Sequence, residues 1–458
     1  MRAPPIRARG LGNALARCAL LALGLLLVSP PGHAMTIDRV VSPGGIEAWL
    51  VQDHTLPVVT VEFSFAGGAA TDPEGKAGLA TMTAALLDEG AGPLDSEAFQ
   101  GRLEDLASGV SFSASYDYLN GALRTTTENE AAAFDLLRLA VSEPRFDAEA
   151  VARIRSDLVA DVRRNAENPR AVAGRVWWHN AFAPHPYARP REGTEETLGA
   201  ITADDLKRFV HERFGRDALK IAVVGDVTPA ALGALLDQTF GALPAAAAEA
   251  VTTPATARAA GALLLVKKPI PQSVVTFGEQ GIKRSDPDWY AAYVDNYILG
   301  GGGFSSRLMT EVREKRGLAY GVATYLYPLR NGGVILGSVA TQNARVAESI
   351  AIIRQEWQRM HDEGPSEAEL ADAKTYLIGS FPTQFDSTGS IAGTLLQVQE
   401  EGLGIDYINE RNGFIAAVTL EDARRVARRL FDAAELGFTV VGMPEKLTPT
   451  REVGPGGS

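Results

Sequence analysis

The side chains that could carry out chemistry are few, and most form no familiar local motif. Beyond residue 34 the chain has five histidines, which are His54, His179, His185, His211 and His361. No two of them lie four residues apart, the spacing that places two zinc ligands on one face of a helix. No Gly-x-Ser-x-Gly sequence is present, so nothing local indicates a serine nucleophile. His179 and His185 lie in a proline-interrupted segment and are interpreted as loop or packing residues.

A second candidate is the pair Arg313 and Tyr320 in EVREKRGLAYGV. We expect Gly317 to end a helix and Tyr320 to open the next strand. A fixed guanidinium beside a phenol can hold a peptide carbonyl and donate hydrogen bonds to an oxyanion. The spacing alone favours the simpler interpretation of a surface arginine and a core tyrosine.

Four consecutive glycines, Gly300, Gly301, Gly302 and Gly303, precede this pair in GGGGFSSRL. A phosphate-binding loop follows a strand and needs a lysine after the glycines. Here Phe304 and Ser305 follow them, and the preceding YAAYVDNYIL is typical of a helix. Two interpretations stay open: a backbone that approaches an extended ligand closely, or a loop that ends a helix.

These residues are expected to lie in an exported chain. Residues 1–34 have a basic start, a short apolar run from Cys18 to Val28 and a small-residue end, the pattern of a secretory signal peptide. Its removal takes away four arginines and lowers the net charge from −12 to about −16. The rest has no cysteine, no Lys/Arg-rich block and no further run long enough for a membrane span. We expect a location in the bacterial periplasm or outside the cell, and no binding to nucleic acid.

The chain divides into two similar halves. An Ala/Pro/Thr-rich linker over residues 242–261 separates residues 35–241 from 262–445, and residues 446–458 are expected to be a flexible tail. In each half a strand and a helix precede a strand pair and two helices, as in residues 110–129 and 320–343 with the segments that follow them. The pattern predicts an α+β protein of two homologous α/β sandwich domains that face each other across a cleft.

Several ordered segments resemble the pitrilysin/insulinase family of zinc peptidases, including the processing peptidase subunits. They include DHTLPVVTVEFSFAGGAATDPEGKAGLA, HPYARPREGTEETLGAITADDLKRFVHERF and YILGGGGFSSRLMTEVREKRGLAYGV. The resemblance implies the processing-peptidase/LuxS-like metallohydrolase fold, as one half of a clamshell. In active members His-x-x-Glu-His follows GLA, but here those positions hold Thr81, Ala84 and Ala85, and the third ligand falls near Asp161. The resemblance therefore implies that this chain holds no zinc.

The same resemblance gives Arg313 and Tyr320 a role, because active members need such a pair from the C-terminal domain. The glycines 300–303 are similar to the substrate loop of a non-catalytic processing peptidase subunit. This implies a non-catalytic subunit that binds peptide substrates beside a homologous zinc-bearing His-x-x-Glu-His partner. Two alternatives remain: a peptide-binding or scaffold protein without a part in hydrolysis, and an independent enzyme that uses Asp88, Glu89 and Asp161.

Overall fold

The computed structural model describes residues 35–248, 253–259 and 261–457. The signal peptide expected over residues 1–34, Cys18 included, lies outside the described residues, as do residues 249–252 and 260 of the linker. Within the described residues no helix is both long and apolar enough to cross a membrane.

The first half is built on a six-stranded sheet in which β3 runs through the centre. The strand order is β1-β2-β6-β3-β5-β4. The strands are β1 (Asp38–Val41), β2 (Glu47–Gln52), β3 (Val58–Ala66), β4 (Gly109–Ala114), β5 (Tyr118–Thr126) and β6 (Leu219–Gly225). In β3 the alternate residues Val59, Val61, Phe63 and Phe65 are fully buried against the helices, as period-two patterning requires.

Eight α-helices of the described residues follow or connect these strands. They are α1 (Leu79–Ala84), α2 (Ser96–Asp105), α3 (Glu130–Ser142), α4 (Ala148–Glu167), α5 (Pro169–Phe182), α6 (Glu195–Ala200), α7 (Ala203–Arg213) and α8 (Pro229–Phe240). Residues of α1, α3, α7 and α8 share one apolar core with β3. Pro184 follows the end of α5, so the segment with His179 and His185 is broken as the sequence predicts.

The second half repeats this plan with a sheet in the order β12-β7-β11-β8-β10-β9. The strands are β7 (Leu263–Lys267), β8 (Gln272–Gln280), β9 (Ala319–Leu329), β10 (Gly332–Gln342), β11 (Gly437–Gly442) and β12 (Arg451–Glu452). The helices are α9 (Trp289–Asn296), α10 (Val346–Glu363), α11 (Glu367–Gly379), α12 (Thr388–Glu400), α13 (Tyr407–Ala417) and α14 (Leu420–Leu430). Two homologous α/β sandwiches in a two-domain α+β fold are therefore confirmed.

The two halves exchange one helix each. Helix α5 of the first half packs on β8 and β11, where Gly278 leaves room for the Trp177 ring and the Trp177 indole N–H donates to Gly437 O at 3.4 Å. Helix α12 of the second half packs on β3 and β6, where Gln399 donates to Ile221 O at 2.9 Å. Each sheet thus has one face covered by its own helices and part of the other covered by a helix of the opposite half.

The linker and the tail are more closely held than the sequence predicts. In the described part of the linker, Ala255 and Ala257 are buried, and the Ala255 N–H donates to Asn331 O at 2.8 Å. The tail carries β12, which pairs in parallel with β7, so residues 450–457 differ from the expected flexible segment. Tail carbonyls also accept hydrogen bonds from α5, for example Pro455 O from Arg175. The domain boundaries at residues 241, 261 and 445 stay predictions.

Candidate functional site

Helix α1 stands where the sequence predicts a zinc-binding helix, but its side chains serve packing. Ala84 is buried and Ala85 is half-buried, and neither has a polar side chain. Thr81 donates its hydroxyl to Arg191 O at 2.8 Å. The neighbouring Thr83 is buried and donates to Leu79 O at 2.8 Å within the same helix. The positions that would hold zinc therefore carry no ligand.

The start of this helix is nevertheless firmly built. The buried carboxylate of Asp72 accepts hydrogen bonds from the first three amides, Gly78, Leu79 and Ala80, at 2.8, 3.1 and 3.0 Å. These donors have no partner inside the helix, so Asp72 satisfies groups that would otherwise be orphaned. Burial raises the pKa of Asp72 to about 7, although the three amides oppose the shift. The start of helix α1 is thus held in place by Asp72, although the helix carries none of the zinc-ligand side chains.

The remaining carboxylates and histidines do not form a metal centre. Asp161 is half-exposed on α4 and forms an ion pair with Arg164 of the same helix. Glu89 pairs with Arg153, and burial raises the pKa of Asp88. Among residues 35–248, 253–259 and 261–457, no group of three or more His, Cys, Asp or Glu side chains could hold a metal ion. The donor set therefore does not fit zinc.

The glycine-rich segment follows a helix, as its sequence predicts, and the helical turn extends through Gly301. Helix α9 runs into a π-helical turn over Tyr297–Gly301, and a 3-10 turn over Gly303–Ser305 follows. A Cβ atom on Gly300 would lie 2.5 Å from Thr324 Oγ1, so only glycine lets this turn lie against β9. Gly303 has a φ of 59°, in the left-handed region that favours glycine. The glycines therefore place the next residue, Phe304, at the surface.

Arg307 anchors the far side of this loop. Its Nε and Nη2 donate to the two carboxylate oxygens of Glu369 at 2.6 and 2.8 Å, and Nη2 also donates to Gly364 O at 2.9 Å. Glu369 in turn accepts from the Ser366 amide at the start of α11. A bidentate pair of this kind fixes orientation as well as distance. The loop is thus held between β9 and α11.

The structure brings Arg313, Tyr320 and the loop together. A second π-helical segment, Met309–Glu314, carries Arg313, and Gly317 with a φ of 59° turns the chain into β9. The Arg313 Cζ atom lies 4.5 Å from the Phe304 ring centroid and 4.7 Å from that of Tyr320. Both distances fit cation–π contacts, so the guanidinium contacts two aromatic rings. The sequence does not single out Phe304; its signal is a large aromatic residue directly after four glycines.

This three-residue cluster faces solvent with free hydrogen-bond donors. Phe304 is 63% exposed and Tyr320 is 87% exposed. Within the described residues neither the Arg313 guanidinium nor the Tyr320 hydroxyl has a hydrogen-bond partner. The two ring contacts restrain the guanidinium and leave its N–H groups free to donate. The arrangement can bind a carbonyl oxygen and stabilise an oxyanion that develops on it.

Comparisons with known proteins support this description of the two halves. A family model described as the peptidase M16 inactive domain matches residues 200–377. A crystal structure of a peptidase M16 inactive domain from Pseudomonas fluorescens superposes with a TM-score of 0.84 at 28% identity, covering 90% of this chain and 99% of that one. By these matches the chain is a homologue of the pitrilysin-family peptidases and fits an inactive member.

Two curated relatives are also similar to this chain. "Non-peptidase homolog YmxG" of Helicobacter pylori is 25% identical over 86% of this chain and 91% of its own length. "Uncharacterized zinc protease SCO5738" of Streptomyces coelicolor is 30% identical over 60% of this chain and 61% of its own length. As expected of an inactive pitrilysin homologue, the chain lacks the family's catalytic zinc site at Thr81, Ala84 and Ala85. The functional roles of Arg313, Tyr320 and the glycines 300–303 stay predictions.

Proposed function

We propose that this pitrilysin homologue is the non-catalytic subunit of a heterodimeric zinc metallopeptidase. A homologous His-x-x-Glu-His subunit would carry the zinc chemistry, and the two chains would close as a clamshell around a peptide. The signal-peptide pattern of residues 1–34 supports a periplasmic or secreted location for the complex. Short or unfolded peptides are the proposed substrates.

One contrast carries this proposal. The helix of the first half is capped and packed but has no ligands, whereas the second half presents Arg313 and Tyr320 with unpaired donors at the surface. An exposed aromatic–arginine stack contributes little to the folding free energy, so its exposure is better explained by a ligand. Because Thr81, Ala84 and Ala85 stand at the zinc-ligand positions of this chain, the zinc chemistry would have to come from another subunit.

In this role the two side chains would act on the peptide carbonyl. The Arg313 guanidinium, oriented by its contacts with the two rings, would donate hydrogen bonds to the carbonyl of the scissile peptide bond or of an adjacent one. The Tyr320 hydroxyl would donate to the oxygen as negative charge develops on it. Removal of one such donor typically lowers kcat by a factor of about 10² to 10³.

The test is reconstitution with a His-x-x-Glu-His homologue from the same organism, the proposed partner. Turnover would be measured with an internally quenched peptide that is amidated at its C-terminus. We expect kcat/KM to fall about 10² to 10³-fold for Arg313→Ala and less for Tyr320→Phe, with subunit stoichiometry unchanged by gel filtration. Arg428→Ala is the matched control, since Arg428 is exposed and has no side-chain partner among the described residues. Wild-type turnover in Arg313→Ala would refute the proposed role.

A second function is a peptide-binding or scaffold protein without a part in hydrolysis. The observation in its favour is the relative named as a non-peptidase homolog, which aligns over 86% of this chain. A pull-down of the tagged chain from its native compartment separates the two. Stoichiometric recovery of a His-x-x-Glu-His homologue supports the peptidase subunit, and recovery of self-copies alone supports the second function.

A further inference from the structure

A separate pocket of about 270 Å³ lies between the two halves. Helix α5, the loop before Gly193 and strand β9 form its walls. Three aromatic rings and three arginines dominate the lining: Tyr116, Trp178, Tyr327, Arg175, Arg189 and Arg191. No residue of this pocket belongs to the Arg313 cluster, so it is a distinct feature of the molecule.

None of the three arginines forms an ion pair within 4.0 Å with a carboxylate of the described residues, although the buried Asp72 carboxylate and Arg189 attract each other. Arg175 donates to Pro455 O at 3.3 Å, and Arg189 donates through Nη2 to Ala70 O at 3.3 Å. The buried Nε of Arg189 has no partner, and within the described residues the Arg191 side chain forms no hydrogen bond or ion pair. Glu192 also lines the pocket, but it forms no ion pair within 4.0 Å of any described arginine. A chain with a net charge of −12 thus places three arginines without a close ion pair, against one glutamate, at a single pocket.

The aromatic rings give the same pocket an apolar wall. The Trp178 ring lies 5.2 Å from the Tyr116 ring and 5.9 Å from the Tyr327 ring, centroid to centroid. Trp178 is only half-buried and lines the pocket, while one face of its ring stacks on Phe182 at 5.0 Å between centroids. Guanidinium groups beside aromatic faces suit a planar anion that is attached to an apolar group. A carboxylate with a neighbouring side chain has this chemistry.

The size of the pocket limits the ligand. Pockets for whole drug-sized ligands enclose roughly 300–1,000 Å³. At about 270 Å³ this pocket suits one amino-acid residue better than a larger molecule. Tyr327 lies on the same strand as Tyr320, seven residues along, which is roughly 23 Å at about 3.3 Å per residue. An extended peptide of about seven residues would therefore reach from the Arg313 cluster to the pocket.

We infer that this interdomain pocket binds the C-terminal residue of a peptide. Its α-carboxylate would lie against Arg191, Arg175 and Arg189, and its side chain would lie among the three rings. The inference rests on the proposed function in one respect, that the ligand is a peptide. It gives the chain a preference for free C-termini, which the Arg313 cluster alone would not supply.

The experiment uses the isolated chain and two labelled peptides. The probe is an octapeptide of alternating alanine and serine that ends in phenylalanine, with fluorescein at its N-terminus, as the free acid and as the C-terminal amide. Fluorescence anisotropy measures both dissociation constants. Because hydrogen bonds to a charged group are the strong ones, we expect the amide to bind about 10 to 100 times more weakly.

Substitution of Arg191 then tests whether the preference for the free acid arises in this pocket. Arg191→Gln should weaken binding of the free acid about tenfold or more and leave the amide unchanged. Arg428→Gln removes the same charge elsewhere and should leave both unchanged. Equal affinity for acid and amide, equal loss of both in Arg191→Gln, or no binding of either peptide would overturn the inference. The turnover test of Arg313 uses an amidated substrate with the partner present, so its outcome is independent of this pocket.

Discussion

Arg313 contacts the rings of Phe304 and Tyr320. Of these two residues, Phe304 has no hydrogen-bonding group in its side chain, so its substitution tests the ring contact alone. Phe304→Ala removes one ring, 4.5 Å from the Arg313 Cζ atom, and leaves the Tyr320 ring at 4.7 Å. A cation–π contact at an exposed site contributes about 0.5–1 kcal/mol. If that energy serves only to orient the guanidinium, its loss corresponds to about a two- to fivefold fall in kcat/KM.

The same estimate bounds the effect on folding. Phe304 is 63% exposed, so its truncation leaves no cavity in the core. A loss of about 1 kcal/mol or less lowers Tm by under about 4 °C in a chain of this size. We therefore expect reduced turnover of the reconstituted complex with a nearly unchanged thermal transition of the chain alone.

Kinetics of four proteins provide the assay: wild type, Phe304→Ala, Arg313→Ala and the double variant. Since Phe304 acts through Arg313, its substitution should have no further effect once Arg313 is absent. Phe304→Tyr keeps the ring and should retain wild-type kinetics. Independent, additive losses in the double variant would refute the reasoning, as would a Tm decrease of many degrees, which would make Phe304 a structural residue.

Two further predictions follow from buried contacts. Gly300→Ala places a Cβ atom 2.5 Å from Thr324 Oγ1, so the loop must shift; we expect turnover of the complex to fall at least tenfold, whereas Gly413→Ala, with open space around it, should be neutral. Burial raises the pKa of Glu279 from its ordinary 4.5 to about 9 despite the hydrogen bond from Trp357. Stability from the neutral carboxyl is present below about pH 4.5 and is lost as the pH rises toward 9, so wild-type Tm should decline more steeply over pH 5–9 than that of Glu279→Gln. Parallel Tm curves would contradict this assignment.

The sequence predicts the local elements around the site because they depend on short-range signals. Gly317 supplies the left-handed turn that separates the Arg313 helix from β9, and the alternating residues 320–343 form β9 and β10. The empty zinc positions Thr81, Ala84 and Ala85 are named from the family resemblance, because they follow the same GLA sequence that precedes the motif in active members. In each case the residues that decide the structure lie within a few positions of one another.

Features that depend on long-range packing could not be predicted in this way. Phe304 and Arg313 are nine residues apart, and two π-helical segments are needed to stack them. The exchange of α5 and α12 between the halves has no periodic signal, because it depends on space above a distant sheet, such as that left by Gly278. Residues 450–457 contain little strand propensity, yet β12 forms because the edge of β7 offers unpaired backbone groups.

Helix α1 and the Arg313 cluster differ in how much their side chains contribute to the free energy of folding. In α1, Ala84 and Met82 are buried in the core of the first half, so these apolar side chains contribute to the free energy of folding. Replacing zinc ligands by such residues therefore does not lower the stability of the fold. The opposite holds for the second half, where Tyr320 is 87% exposed and a four-glycine segment gives up chain entropy to present Phe304. The free energy of folding explains the buried apolar residues of α1, but it does not explain why Tyr320 and Phe304 are exposed. We therefore propose a ligand that contacts Arg313, Phe304 and Tyr320 as the reason for their geometry.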